Sequence, residues 1–173
     1  ERLLFDTGAR PRSVLDNARE LGLDLAGVRE LVLSHNHGDH TGGALRQHVM
    51  GGDDRRAGPA ETRAMQGLLQ AALDEGACGM STGLIYPPCC YADTDELVAL
   101  GTVLAAGNRP LVVHMRSESD RILEALAEMT EVARRSGCAV HVSHLKLAGR
   151  RNWGHAPAVA GAEGDAPPAP GEA

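Results

Sequence analysis

The sequence predicts an α/β fold assembled from parallel strand–helix–strand units. Three observations carry this expectation. Segments with helical apolar spacing alternate with short Val- and Leu-rich runs at intervals of roughly 30 residues, the rhythm of βαβ units. The apolar runs, such as Leu111-Val112-Val113, are continuous, as in strands buried on both faces. Several of them end on a histidine, which places polar chemistry at the carboxyl ends of strands.

In chain order, RLLFDTG opens as a short apolar run that turns at Asp6-Thr7-Gly8. Ser13 then precedes VLDNARELGL, a helix with Val14, Leu15, Ala18 and Leu21 on one face and a stop at Gly22. RELVLSH follows as a strand that leads into a histidine-rich loop. From Pro59, well suited to a first helical position, a helix runs through MQGLLQAALDE to Gly76, with Met65, Leu68, Leu69, Ala72 and Leu73 on its apolar face. Residues 77–82 (ACGMST) form the next strand. Asp93 or Thr94 caps another helix, with Glu96 placed for a capping box, as far as Gly107. Leu111–His114 is a strand. Ser119 or Asp120 opens a helix whose stripe is Ile122, Leu123, Leu126, Met129 and Val132, stopped by Gly137. Residues 139–144 (AVHVSH) are the last strand. Beyond Gly154, Ala, Gly and Pro dominate without periodicity, and a disordered tail is expected over 155–173.

At 173 residues the chain has room for one domain and a small appendage. One Phe, two Tyr and one Trp leave the core to Leu, Val and Ala-rich helices. A net charge of −6, with no basic stripe or aromatic platform, argues against nucleic acid as a partner. No apolar run approaches membrane-spanning length. The chain opens on Glu1 rather than Met, so we expect its start to lie upstream. Cys78, Cys89, Cys90 and Cys138 form neither a C-x-x-C pair nor a disulfide framework, and a reducing, cytoplasmic setting is expected. The adjacent Cys89-Cys90 pair could bind a soft metal or oxidise, but substitution without function explains it as well.

Residues 34–43, SHNHGDHTGG, hold three histidines and an aspartate within six positions. So many imidazoles beside a carboxylate are poor core material, because each needs a polar partner. An H-x-H-x-D-H loop suits two metal ions instead, which together generate a nucleophile at neutral pH. Residues 3–43, LLFDTG…LVLSHNHGDHTGG, resemble the metallo-β-lactamase-fold hydrolases. The resemblance implies that His35 and His37 bind one metal and Asp39 and His40 a second, with Asp6 close by. The later histidines of that family have no clear counterpart; His114 is the nearest, in an unlike context.

The remainder is similar to another family. GALRQHVMG, STGLIYPP (81–88), VVHMRSESDRILEAL (112–126) and VSHLKLAGRRNWG (142–154) resemble the N-acyl-D-amino-acid deacylases of the amidohydrolase superfamily. These are metal-dependent (β/α)8 barrels, so the fold class becomes a partial amidohydrolase-type barrel of three βα units. A strand–helix–strand piece of a metallo-β-lactamase fold precedes it. His114 and His144 end neighbouring strands, and strand carboxyl ends converge on one mouth in a barrel. By resemblance they are zinc ligands. Arg116 is the expected contact for a substrate carboxylate, and Ser117, Glu118 and Lys146 are placed to shape the mouth. His141 is expected in the core or behind the ligands, and Trp153 as a packing anchor.

The two resemblances meet at Gly43-Ala44, giving three parts: 1–43, 44–154 and the tail 155–173. The simplest reading is an incomplete or chimeric metal-dependent hydrolase of linear amides, using one or two Zn2+ and a small N-acyl-D-amino acid substrate. The family's H-x-H strand and its general-base aspartate have no counterpart here, so no catalytic residue is assigned. One alternative is a metallo-β-lactamase-type site on His35, His37, Asp39 and His40. The other is an inactive metal-binding remnant.

Overall fold

The computed structural model describes residues 2–5, 19–22, 28–32 and 44–162. Near the start, β1 (Arg2–Phe5) and β2 (Val28–Val32) pair in parallel, Leu4 opposite Leu31 and Phe5 opposite Val32. Parallel neighbours require a crossover between them. The described part of it, residues 19–22, is a helical end closed by Gly22 at φ +64°, whose N–H donates to the Arg19 carbonyl at 3.1 Å. The stop therefore falls where the sequence put it. His35, His37, Asp39 and His40 lie outside the described residues, as do residues 163–173.

From residue 44 the elements are α1 (Ala44–Met50), α2 (Pro59–Asp74), β3 (Met80–Gly83), α3 (Thr94–Ala106), β4 (Leu111–His114), α4 (Ile122–Ser136), β5 (Val140–Val142) and α5 (Ala156–Ala162). Single 3-10 turns occupy Cys89–Tyr91 and Arg150–His155. The strands form one parallel sheet in the order β3-β4-β5. Ser81, Val112 and His141 share a row across it, then Thr82, Val113 and Val142, and Gly83 lies opposite His114. Each helix packs on its successor, α1 on α2, α2 on α3, α3 on α4 and α4 on α5. Leu111 and Val113 of β4 join Leu97, Leu100 and Leu104 of α3 and Ile122, Met129 and Val132 of α4 in a single core.

Local chemistry moves several boundaries from where the sequence set them. The Ala77 N–H donates to the Ala72 carbonyl, extending the end of α2 and delaying β3 to Met80. Leu68 is exposed, so the buried line of α2 is the narrower Met65–Leu69 pair with Leu73 half-buried beside it. The Ser117 hydroxyl accepts the Ser119 and Arg121 N–H groups, holding those residues in a turn, and α4 begins only at Ile122. Its end is as expected, with Gly137 left-handed at φ +75° and its N–H on the Ala133 carbonyl. Composition argued for disorder from residue 155, yet residues 156–162 are helical. Alanine favours helix, and Val159 is buried in the core shared with α4.

Two tertiary features stiffen the helical layer. Asp93 caps α3 by accepting the Glu96 N–H at 2.9 Å, but the Glu96 carboxylate does not complete a capping box. It pairs with Arg46 of α1, both side chains being buried, and Arg46 also donates to the Arg55 carbonyl. At α2 one half of such a box is present, where Glu61 accepts the N–H of the N-cap Gly58 at 2.7 Å. Hydrogen bonds from Arg55 and then from Gly58 hold that carboxyl down to about 2. At Gly101 a Cβ would lie 2.7 Å from Ser136 Oγ and 2.8 Å from Ser136 Cβ, so glycine is what lets α3 and α4 approach.

Glu96→Ala leaves the buried Arg46 charge without its carboxylate, and urea denaturation should show a loss of about 3–5 kcal/mol; replacing both residues, R46M with E96L, should restore most of it. Gly101→Ala should lower the unfolding free energy from the same urea denaturation by about 1–3 kcal/mol despite alanine's better helix propensity.

Candidate metal centre

Parallel register decides where the site lies. His114 is the last residue of β4, and its carbonyl accepts the Leu84 N–H at 2.9 Å, so the strand edge remains ordered up to the histidine. Next door, β5 stops at Val142, and the Ser143 N–H still reaches the Val113 carbonyl at 2.9 Å. The chain then turns, with His144 at φ +44°. A left-handed conformation at a non-glycine residue costs energy and persists where surrounding contacts fix it.

Those contacts tie the loop after β4 to the loop after β5. The Ala148 N–H donates to the Glu118 carbonyl at 2.7 Å. The buried Asn152 amide donates to the Ala148 carbonyl at 2.7 Å and to Asp120 at 3.0 Å. Arg151 also pairs with Asp120, and this bond, ahead of the one from Asn152, draws the Asp120 carboxyl below its usual range.

Within this frame the His114 and His144 rings stand edge to face, their centroids 4.5 Å apart. Glu118 lies between them. Its Oε1 is 2.6 Å from His144 Nδ1 and 3.7 Å from His114 Nε2, and its Oε2 is 2.9 Å from Lys146 Nζ. One donor atom from each of His114, Glu118 and His144 lies within 4.8 Å of the others. Among the described residues this group has the composition of a divalent-metal site: two imidazoles and a carboxylate, open on one side. His114 and Glu118 are buried, while His144 and Lys146 reach solvent. Tyr86 covers His114 edge-on at 5.5 Å.

The structure thus brings together His114 and His144, the two strand-end histidines expected from sequence. Arg116 faces elsewhere. Its guanidinium donates to the Cys90 and Ala92 carbonyls, each at 2.8 Å, and to both oxygens of Glu128 at 2.9 and 3.0 Å. To contact a substrate carboxylate it would have to exchange one of these partners or use its remaining N–H. Glu118 is the site residue that sequence reading left vague. The available signal was a carboxylate four residues past a strand-end histidine, in a loop rather than in the following helix. His141, expected in the core or behind the ligands, is exposed on β5. Trp153, expected as an anchor, is also exposed, with the Arg150 guanidinium 5.7 Å over its ring; Asn152 is the buried residue of that turn. Cys89 is buried, and desolvation pushes its thiol above the usual range despite a hydrogen bond with Thr82.

Comparison with known proteins gives matches of two kinds. Residues 1–46 match the sequence model of the metallo-beta-lactamase superfamily. Over 111 residues, 64% of the chain, it is 42% identical to an N-acyl-D-aspartate deacylase of Alcaligenes xylosoxydans xylosoxydans, of which it covers 22%. A D-aminoacylase of the same organism is 37% identical over 110 residues, 64% of this chain and 23% of that protein. Among solved structures, the N-acyl-D-glutamate deacylase of Bordetella bronchiseptica, complexed with zinc and a phosphonate inhibitor, superposes with a TM-score of 0.69 at 36% identity. That match covers 87% of this chain and 30% of the deacylase. A D-aminoacylase with a binuclear metal centre gives 0.67 at 31% identity, over 80% of this chain and 28% of the enzyme. The chain spans about a fifth of the length of the curated relatives it matches.

Thiol reactivity checks the packing beside the site. In the native protein iodoacetamide should modify the exposed Cys78 readily, and Cys89 and Cys138 only once urea unfolds the chain, as peptide mass mapping would record.

Proposed function

We propose that residues 44–154 are three βα units of a (β/α)8 amidohydrolase barrel, and that His114 and His144 are metal ligands of an N-acyl-D-amino-acid deacylase site. One observation carries this reading. Two histidines at the ends of adjacent parallel strands converge with a buried carboxylate, in a segment similar to known deacylases. Zinc is the ion the donor set favours, since imidazole nitrogen and carboxylate oxygen in an open site suit it. Bound there, it would supply Lewis acidity toward the acyl carbonyl and toward water.

The chain's own residues then have separable tasks. The His114 ring is held by burial and by Tyr86, so its nitrogen keeps a fixed direction. Lys146 puts an ammonium at the exposed rim, 2.9 Å from Glu118, where a substrate carboxylate would meet a cation. Arg116 joins the turn after β3 to α4 through Glu128, and would reach the substrate by exchanging a present partner or through its one remaining N–H. The general-base aspartate of the deacylases has no assigned counterpart. Ligand binding is the part of the reaction that these residues support directly.

A second reading draws on the family match over residues 1–46: a metallo-β-lactamase-type site on His35, His37, Asp39 and His40. In that reading 1–43 and 44–154 are pieces of two metallohydrolases, each with its own partial ligand set. No described helix is long and apolar enough to cross a membrane.

Equilibrium dialysis with elemental analysis separates these readings. His114→Ala and His144→Ala should each weaken zinc binding by at least about 100-fold, more than loss of an outer-shell partner would, and should abolish any acetate release from N-acetyl-D-amino acids. Zinc lost in the paired His35→Ala, His37→Ala variant but kept in His114→Ala would assign metal binding to the first cluster instead. Zinc bound without turnover would leave the chain an inactive metal-binding remnant.

A further inference from the structure

The three donor groups admit two arrangements around an ion, and their spacing chooses between them. In a tetrahedral zinc site with bonds near 2.0–2.1 Å, two donor atoms sit about 3.3 Å apart. His144 Nδ1 and Glu118 Oε1 are 2.6 Å apart, the separation of a charge-assisted hydrogen bond rather than of two ligands on one ion. The other Glu118 oxygen is engaged by the Lys146 ammonium at 2.9 Å. The residue is also fixed from its backbone, whose carbonyl takes the Ala148 N–H at 2.7 Å. Both carboxylate oxygens thus have donors before any metal arrives.

We propose that Glu118 is the positioning residue of this site: it accepts the Nδ1–H of His144 and so turns the Nε2 of that ring toward the metal. The bond selects a tautomer. A neutral imidazole has one N–H, and when Nδ1 carries it, the lone pair is on Nε2. His144 needs such a constraint more than His114 does. It lies beyond the end of β5 on a left-handed backbone and is 40% exposed, whereas His114 is 5% exposed at the end of a paired strand. Carboxylate–histidine–metal arrangements have this form, and the outer carboxylate raises the basicity of the ligating nitrogen as well as orienting it. Lys146 holds the second oxygen, so the loop after β5 supplies both the ligand and the cation that steadies the ligand's partner.

The inference rests on the metal-site reading, but its first test needs no metal. Long-range 1H–15N correlation spectra of the metal-free full chain at neutral pH should show His144 with its proton on Nδ1, and Glu118→Ala should release that preference. Glu118→Gln keeps an oxygen acceptor. With cobalt as the probe, its visible absorption bands should keep the position and intensity of the unmodified protein, while zinc affinity falls about 10- to 100-fold. A His144 proton on Nε2 in the unmodified metal-free chain would overturn the proposal. So would a Glu118→Gln cobalt spectrum showing a changed coordination number, since Glu118 would then be a direct ligand. Absence of zinc and cobalt binding by the unmodified chain would overturn the metal-site reading instead, and the tautomer measurement tells the two failures apart.

Discussion

Parallel pairing of β3, β4 and β5 is the constraint from which the rest follows. Neighbours that run the same way cannot be joined by a hairpin, so each connection returns along the sheet as a helix. That return makes α3 and α4 obligatory partners of β4 and gives the chain its core of Leu97, Leu104, Leu111, Val113 and Val132. It also makes all three strands end at the same edge. A residue placed at one strand end is therefore a neighbour of the residue at the next, although about thirty positions separate them, as roughly 30-residue βαβ units require. His114 and His144 meet for this reason, without any local sequence device to bring them together.

Strand ends deliver side chains but do not aim them. Aim comes from the polar stitching between the two loops, in which every partner has a counterpart. Glu118 is buried among two imidazoles and an ammonium, so its charge is compensated where it would otherwise cost several kcal/mol. Asp120, a short step along the same loop, does the equivalent work at the rim through Arg151 and Asn152. Alternate acids of one turn thus face the site and the outer loop, a division that fixes both loops with few residues. The same principle recurs in the helical layer, where Arg46 and Glu96 bind α1 to α3 by a buried ion pair. Such pairs add little net stability over apolar packing. They do penalise any register in which either charge is left alone.

What the sequence made legible was whatever depends on one element at a time. Pro59 at a first turn, Asp93 as a cap, Gly22 and Gly137 as stops, and the buried run Leu111–Val113 are local properties, and each lies where the pattern put it. The two strand-end histidines, His114 and His144, were legible because a strand end is also a local property. Glu118 was not, since its role exists only once β5 is beside β4. Glu96 misled for the same reason: its spacing from Asp93 fits a capping box, but a buried guanidinium 50 positions away in sequence is the stronger partner. Composition failed at Val159, because one apolar residue in an alanine-rich helix suffices to dock it when α4 already offers a surface.

The two parallel pairings of the described chain share one geometric feature. β1 and β2 also pair in parallel, and the H-x-H-x-D-H stretch follows β2 as His114 closes β4 and His144 follows β5. In each case a short apolar strand comes first, and histidines stand at its end or just past it in sequence. Rigidity matters because an imidazole binds an ion well only when its ring direction is set in advance. At His114, which closes a paired strand, burial and the Tyr86 ring hold the imidazole. His144 lies beyond the paired residues, and there the Glu118 carboxylate sits 2.6 Å from its Nδ1. The ring that the ladder does not reach is thus the one whose direction depends on a side-chain partner, and Glu118 is the partner the structure supplies.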